Sequence, residues 1–248
     1  MKDIKLLSLV VPAYKQEKTI VKDLQNLSSV LSKMPFKYEI VVVEDGFLDG
    51  TATKIKKIKD SHVKVFGYKE NRGKGFAIKY GVEKAKGDVI GFIDAGMDID
   101  PSEISLMLDL MEWKKADIVL GSKLHPDSKV NYPIQRKILS WGYRTLTRIL
   151  FGFKVKDTQV GLKLFRGKVA KEVFAKIIVK QFAFDIEVLT VAYKLGYHKI
   201  YEAPIKLNFN KASSITSASF WKVILQMLWD TAAVYYRLKI LHFYDKKK

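Results

Sequence analysis

Cysteine is absent from all 248 residues, which excludes a disulfide framework and any thiolate-held metal and suits a reducing compartment. Histidine occurs only as the scattered His62, His125, His198 and His242, so neither a histidine zinc site nor histidine catalysis is expected. No charge-free stretch approaches the ~20 apolar residues that a membrane span needs. The apolar run between Met1 and Pro12 is too short for a signal-peptide core and has no small-residue cleavage site, so a cytosolic start is expected. Acidic residues are the minority charge: 26 Asp and Glu stand against 44 Lys and Arg, a net charge of +18. That excess points to a polyanionic partner, whether nucleic acid, an anionic membrane or a phosphorylated substrate. Apolar residues make up 48% of the chain, enough for one large domain with a full core.

Strand-like and helix-like segments alternate through the first half. Leu6 to Val11 reads as a strand, and Ile20, Leu24, Leu27 and Leu31 then recur at helical spacing. Tyr38 to Val43 is a second strand, followed by Asp49 as cap of a helix carrying Ile55 and Ile58. Val63 to Phe66, a helix through Ala85, a strand over Ile90 to Ile93, a helix over 101–115 and a strand over Asp117 to Leu120 complete the series. Such alternation predicts an α/β fold with a mostly parallel sheet and helices on both faces. The strands end in Pro12-Ala13-Tyr14, Glu44-Asp45-Gly46, Asn71 to Gly75, Asp94 to Asp98 and Gly121-Ser122-Lys123. These endings share one sheet edge, where open α/β sheets bind ligands.

The densest chemistry lies in Asp94-Ala95-Gly96-Met97-Asp98-Ile99-Asp100-Pro101. Asp94 and Asp98 suit a hard divalent cation, while aspartates ahead of a helix that opens Pro-Ser-Glu also serve as N-terminal caps. Beyond residue 125 the alternation fades into a basic helix over 132–151, a turn and strand over 157–166, a helix from Phe184 to near Gly196, and strand material from Lys199 to Leu207. Residues 218–244 contain neither Gly nor Pro and read as one long helix, apolar around most of its surface. One side is expected to pack on the domain, and the other to meet a membrane interface or another subunit. Two units follow: residues 1–210, divided near residue 121, and an interface helix with a basic tail over 211–248.

Seven ordered motifs resemble the inverting family 2 glycosyltransferases, most closely the polyprenyl-phosphate (dolichyl-phosphate) mannose and glucose synthases. They are Val10-Val11-Pro12-Ala13-Tyr14 with Glu17 and Ile20; Val43-Glu44-Asp45-Gly46 through Thr51; Asn71-Arg72-Gly73-Lys74-Gly75-Phe76-Ala77; Gly87-Asp88 to Asp94-Ala95; Gly121-Ser122-Lys123; Asp157 to Lys163; and Phe184-Asp185-Ile186-Glu187-Val188-Leu189. The resemblance implies a Rossmann-like GT-A fold and transfer of mannose or glucose from GDP-mannose or UDP-glucose to a polyprenyl phosphate, with inversion. It implies that Pro12, Ala13, Tyr14, Glu17, Glu44, Asp45, Lys74, Asp94 and Ala95 bind the nucleotide-sugar. Lys123, Arg136, Ser140 and Lys163 are expected at the acceptor phosphate. Asp185 and Glu187 are expected to bind the sugar or position Lys163 and Arg166.

Gly96 stands where the family's D-x-D motif has its second aspartate. Asp94 and Asp98 are therefore the expected ligands of Mg2+ or Mn2+, and Asp100 is left as the cap. The implied setting is peripheral, on the cytoplasmic side of the cell or endoplasmic reticulum membrane, with a membrane-spanning partner or a second copy possible and no nucleic acid. Two other readings stay open: glycan extension on a hydroxyl acceptor, with Asp185 or Glu187 as base, and a non-catalytic module for anionic lipid or nucleic acid. A nucleotidyltransferase lacks support, because Pro12-Ala13-Tyr14-Lys15 occupies the place of its glycine-rich loop.

Overall fold

The computed structural model describes residues 4–131, 134–181, 183–208 and 217–245. Strands β1 (Leu6–Ala13), β2 (Lys37–Asp45), β3 (Val63–Tyr68), β4 (Val89–Ile93) and β5 (Ile118–Ser122) alternate with helices α1 (Ile20–Leu31), α2 (Thr51–Ile55), α3 (Lys74–Lys84) and α4 (Glu103–Trp113). After β6 (Lys129–Asn131) come α5 (Ile134–Phe151), β7 (Leu162–Arg166), α6 (Gly167–Lys176), α7 (Phe184–Lys194), β8 (Ile200–Pro204), β9 (Lys206–Asn208) and α8 (Ser217–Lys239). The seven-stranded sheet runs β3-β2-β1-β4-β7-β5-β8. Only β7 opposes its neighbours, β4 and β5.

Val41, Val42 and Val43 in β2 and Leu9, Val10 and Val11 in β1 have no solvent exposure, as expected for parallel strands covered on both faces. The spacing of Ile20, Leu24, Leu27 and Leu31 becomes the buried stripe of α1, and burying each stabilises by roughly 1.5–3 kcal/mol. Asp49 accepts from Thr51 N at 3.0 Å at the head of α2, a helix of a single turn. Asp100 accepts from Ser102 N at 2.9 Å ahead of α4. Because β1 to β5 run one way, their carboxyl ends share an edge. Antiparallel pairing sets Leu162 opposite Ile93, bringing 157–161 to that same edge.

The strand material expected from Lys199 to Leu207 forms two strands. β8 closes the main sheet, whereas β9 pairs with β6 in a small separate sheet fastened to the aspartate loop by the Ile99–Leu207 bridge. The last helix also stops early, at Lys239 rather than 244, and His242 turns back with φ of 47°. Tyr244 is buried as a result, and its hydroxyl donates to Glu187 Oε1. Glu187 also accepts from Ile178 N (2.8 Å), Val179 N (2.6 Å) and Arg237 Nη2 (3.2 Å). One buried carboxylate thus ties α7, α8 and the loop after α6 together. The boundary expected at 210 lies within 209–216, and the terminal Lys246, Lys247 and Lys248 also fall outside the described residues.

Removing one partner of a buried charge pair typically costs about 3–5 kcal/mol. Glu187→Ala is expected to lose about that much stability in urea unfolding, and Glu187→Gln less, since it keeps an oxygen for part of the donor set.

Candidate active site

Asp94 leaves the end of β4 with its backbone fixed by Asp94 N donating to Gly161 O at 3.0 Å. Its carboxylate lies against Lys74, with Nζ 2.6 Å from Oδ1 and 2.8 Å from Oδ2. A Cβ on Gly161 would fall 2.6 Å from Asp94 Cγ, so only glycine leaves room for that carboxylate. Lys74 is the first residue of α3, and Gly73 before it adopts φ of 96°. The backbone closes in here: a Cβ on Gly73 would meet Lys180 O at 2.5 Å, and one on Gly75 would meet Phe184 Cβ at 2.6 Å. A lysine at a helix N-terminus, in a glycine-flanked turn at the carboxyl edge of a parallel sheet, is built to receive phosphate.

Behind this pair lies a second. Lys163, wholly buried in the interior strand β7, donates to Asp185 Oδ1 at 2.5 Å and to Val160 O at 2.7 Å. Burial pulls the Lys163 ammonium below its ordinary pKa and pushes the Asp185 carboxyl above its own, while their mutual attraction opposes both shifts. Burial also works against the charge on Lys74, yet Asp94 and Asp185 beside it prevail and hold its pKa above the ordinary value. The four groups form an alternating cluster of two cations and two carboxylates.

At the end of β2, Glu44 is buried, with Oε1 accepting from Ala52 N at 3.2 Å and Oε2 without a hydrogen-bond donor. Burial, aided by Asp49, raises its pKa. Ala13 pairs with Glu44 across β1 and β2, and Pro12, Ala13 and the exposed Tyr14 border the same crevice as Asp94. Asp45 lies beneath it: its carboxylate accepts from Arg72 N (2.6 Å), Gly73 N (2.9 Å) and Asn71 Nδ2 (2.8 Å). It therefore shapes the Lys74 loop, and both its oxygens are engaged within the chain. Glu17 is turned to the loop before α2, accepting from Gly50 N at 3.2 Å and pairing with Lys54 at 3.4 Å.

Three expected roles change. Lys163 has no exposed surface and is spent on Asp185 and Val160, so it supports the cluster and does not face an acceptor phosphate. Glu187 has no exposure and four donors, so it is an anchor for α8, available neither as a base nor as a sugar contact. Arg166 bonds to Ala116 O and Met111 O at 3.3 Å each, so neither Asp185 nor Glu187 positions it. Asp98 sits four residues beyond Asp94, its carbonyl accepting from Asn208 N at 2.7 Å. Gly96, with φ of 88°, donates its amide to Asp23 Oδ2 at 3.0 Å. No group of three or more His, Cys, Asp or Glu converges into a metal cage among the described residues. One or two carboxylates completed by a substrate's own phosphates still suit Mg2+ or Mn2+. Asp94 meets that requirement, with a side chain 40% exposed at the crevice.

A cavity of about 610 Å³ opens beside this edge, lined in part by Lys123, Ser140, Trp141, Arg144, Lys156 and Gln159. Asp157 organises its wall, accepting from Lys123 N at 2.8 Å and pairing with Lys123 Nζ at 2.8 Å. Loop 157–161 joins this cavity to Asp94 through Gly161. Lys123 and Ser140 line this cavity together, while the Arg136 side chain lies outside the described residues. Asp23, Arg144, Lys156, Asp157 and Gly161 were not among the expected site residues. Asp157 and Gly161 stand in a quoted motif and were within reach there, whereas nothing in the sequence marks Asp23, a buried polar residue on an apolar helix stripe.

A lysine at a helix N-terminus, a carboxylate at the strand ends and an adjoining basic cavity on this sheet are a combination suited to a transferase of nucleotide-activated groups. Residues 8–174 match the model for glycosyl transferase family 2, and the chain belongs to that family. It is 33% identical to a dolichyl-phosphate beta-glucosyltransferase of Trichomonas vaginalis, across 97% of this chain and 76% of that protein. It is 32% identical to the human dolichyl-phosphate beta-glucosyltransferase, across 88% of this chain and 71% of that protein. Among solved structures, glucosyl-3-phosphoglycerate synthase from Mycobacterium tuberculosis, in complex with Mn2+, UDP and phosphoglyceric acid, superposes with a TM-score of 0.71 at 16% identity, covering 93% of this chain and 78% of that one. Mannosyl-3-phosphoglycerate synthase from Rubrobacter xylanophilus gives 0.71 at 18% identity, covering 95% and 75%. The expected GT-A fold is thereby met.

The raised pKa of Glu44 sets a pH signature. The folded state holds a proton that the unfolded state has released near its ordinary value of 4.5, so Glu44 lowers stability as pH rises through the window above 4.5. Glu44→Gln is expected to be at least as stable as the parent at pH 7 and to lose that advantage at pH 4, read by thermal unfolding at both pH values.

Proposed function

We propose that this glycosyltransferase moves glucose from UDP-glucose to dolichyl phosphate or a related polyprenyl phosphate at a membrane surface, inverting the anomeric carbon. The observation that carries the reading is the pairing of a donor crevice with a basic cavity that offers cations and no free base. A hydroxyl acceptor needs a general base, and both candidates are committed, Asp185 to Lys163 and Glu187 to its four donors. A phosphate monoester, with a second pKa of about 6, arrives already nucleophilic. The names of the relatives favour glucose over mannose and the β product. A single displacement on α-linked UDP-glucose gives that product.

In this reading Pro12, Ala13, Tyr14 and Glu44 receive the nucleoside, the unpartnered Glu44 Oε2 accepting an N–H or O–H from it. Lys74 leaves Asp94 for the diphosphate. Asp94, with Asp98 as second ligand, holds Mg2+ or Mn2+, which supplies charge neutralisation to the diphosphate. Lys123, Ser140, Arg144 and Lys156 hold the acceptor phosphate. One of its oxygens forms the new bond to the anomeric carbon as the bond to the UDP oxygen breaks, and the electron pair leaves with UDP. Asp185 keeps Lys163 charged beneath the cluster and takes no proton from the acceptor.

Membrane contact falls to α5 and α8, joined by the Tyr143–Thr231 hydrogen bond of 2.7 Å. α8 packs Thr231 and Val234 inward and leaves Leu225, Trp229 and Tyr236 exposed, a stripe at helical spacing. No helix among the described residues is long and apolar enough to cross a membrane.

Labelled UDP-glucose, polyprenyl phosphate and Mg2+ or Mn2+ are expected to give lipid-soluble label. Gly161→Ala should cut transfer at least tenfold with the fold intact, by crowding the Asp94 carboxylate. Label from GDP-mannose alone would contradict the donor assignment, and label on a hydroxyl acceptor alone the acceptor assignment.

A further inference from the structure

Beside the acceptor cavity lies a second one of about 420 Å³, between the later turns of α5 and the segment 154–156. Its wall consists of Trp141, Arg144, Thr145, Arg148, Lys154, Val155 and Lys156. Four of the seven lining residues are cationic and none is acidic. Trp141, Arg144 and Lys156 also line the first cavity, so the two adjoin across a shared wall. The carboxylate fastening this loop, Glu202, accepts from Lys156 N (3.0 Å) and Asp157 N (2.8 Å). It organises the backbone and is absent from the cavity wall. Four like charges on one concave wall repel one another unless an anion is shared between them.

We propose that this second cavity holds the phosphodiester headgroup of an anionic membrane phospholipid, at a site separate from that of the acceptor phosphate. The character of its rim selects a lipid over a soluble anion. Trp141, on the cavity wall, is 60% exposed. An exposed aromatic side chain on a cationic pocket matches a headgroup whose acyl chains continue into the bilayer. The wall shared with the acceptor cavity adds to this. A membrane surface that delivers a polyprenyl phosphate to Lys123 and Ser140 would bring its headgroups close to Arg148 and Lys154. An occupied headgroup site would hold the enzyme in register on that surface between turnovers.

The inference rests on the membrane-contact part of the proposed function and not on the identity of the donor. Its test uses the full chain in vesicle co-sedimentation, with phosphatidylcholine alone and with about a third phosphatidylserine, comparing the parent with Arg148→Ala/Lys154→Ala. These two residues line only the second cavity. The parent should prefer anionic vesicles. The double variant should bind them about thirtyfold more weakly, two charges at about 1 kcal/mol each, while its binding to phosphatidylcholine, its melting temperature and its UDP affinity stay unchanged. Equal binding of parent and variant to anionic vesicles would overturn the site. So would a parent with no lipid preference, or displacement by inorganic phosphate beyond that by chloride at the same ionic strength. Binding to neither vesicle would overturn both this site and the membrane contact, leaving donor hydrolysis or transfer to a solubilised acceptor as the separate check on the chemistry.

Discussion

A lysine buried on an interior strand of the sheet is a costly choice, and the charged groups of the site are arranged around it. Lys163 lies opposite Phe92 in β4 and Leu120 in β5 with no solvent contact. Its ammonium hydrogen-bonds to Asp185 and the Val160 carbonyl, which offset the burial that lowers its pKa. A hydrophobic pair of similar volume would be as stable or more so, so stability does not account for it. What the pair supplies is a fixed field: Asp185 faces Lys74 as well as Lys163, and Lys74 faces Asp94. Asp94 and Lys74 are therefore backed by a buried pair fixed by its hydrogen bonds, and groups held in place in this way need little reorganisation when a charge approaches.

Much of this edge was legible in the sequence. Apolar runs such as Val41-Val42-Val43 announced buried parallel strands, and the chemistry clustered at their ends announced the crevice. Asp94, Lys74 and Ala13 are where that reasoning put them, because strand direction alone fixes which ends meet. Lys163 and Glu187 were misjudged for one physical reason. A charged residue in a motif reads as exposed, and its burial depends on partners distant in sequence: Asp185 for one, Arg237 and Tyr244 for the other. Asp45 was placed correctly in space yet serves the backbone of 71–73, a task that no local pattern reveals. The early end of α8 belongs to the same class, since only the tertiary pull of Glu187 on Tyr244 turns the chain back.

Glu187 also links the two functions of the molecule. Its oxygens reach α8, which carries the exposed Trp229 stripe, and the amides of Ile178 and Val179. Two residues on, the Lys180 carbonyl accepts from Phe76 N at 3.2 Å and packs over Gly73. Helix α8 and the Lys74 turn thus share one frame of short contacts. The basic cavity is joined to Asp94 by a different route, through Asp157 and Gly161.

The most direct test is calorimetric titration of UDP into the parent and Asp94→Asn, with and without Mn2+. If Lys74 trades Asp94 for the diphosphate, the variant frees that lysine in advance. It should bind UDP at least as tightly as the parent in metal-free buffer and lose the gain in affinity that Mn2+ gives the parent. A variant that binds more weakly without metal, or that keeps the full Mn2+ gain, would contradict the exchange.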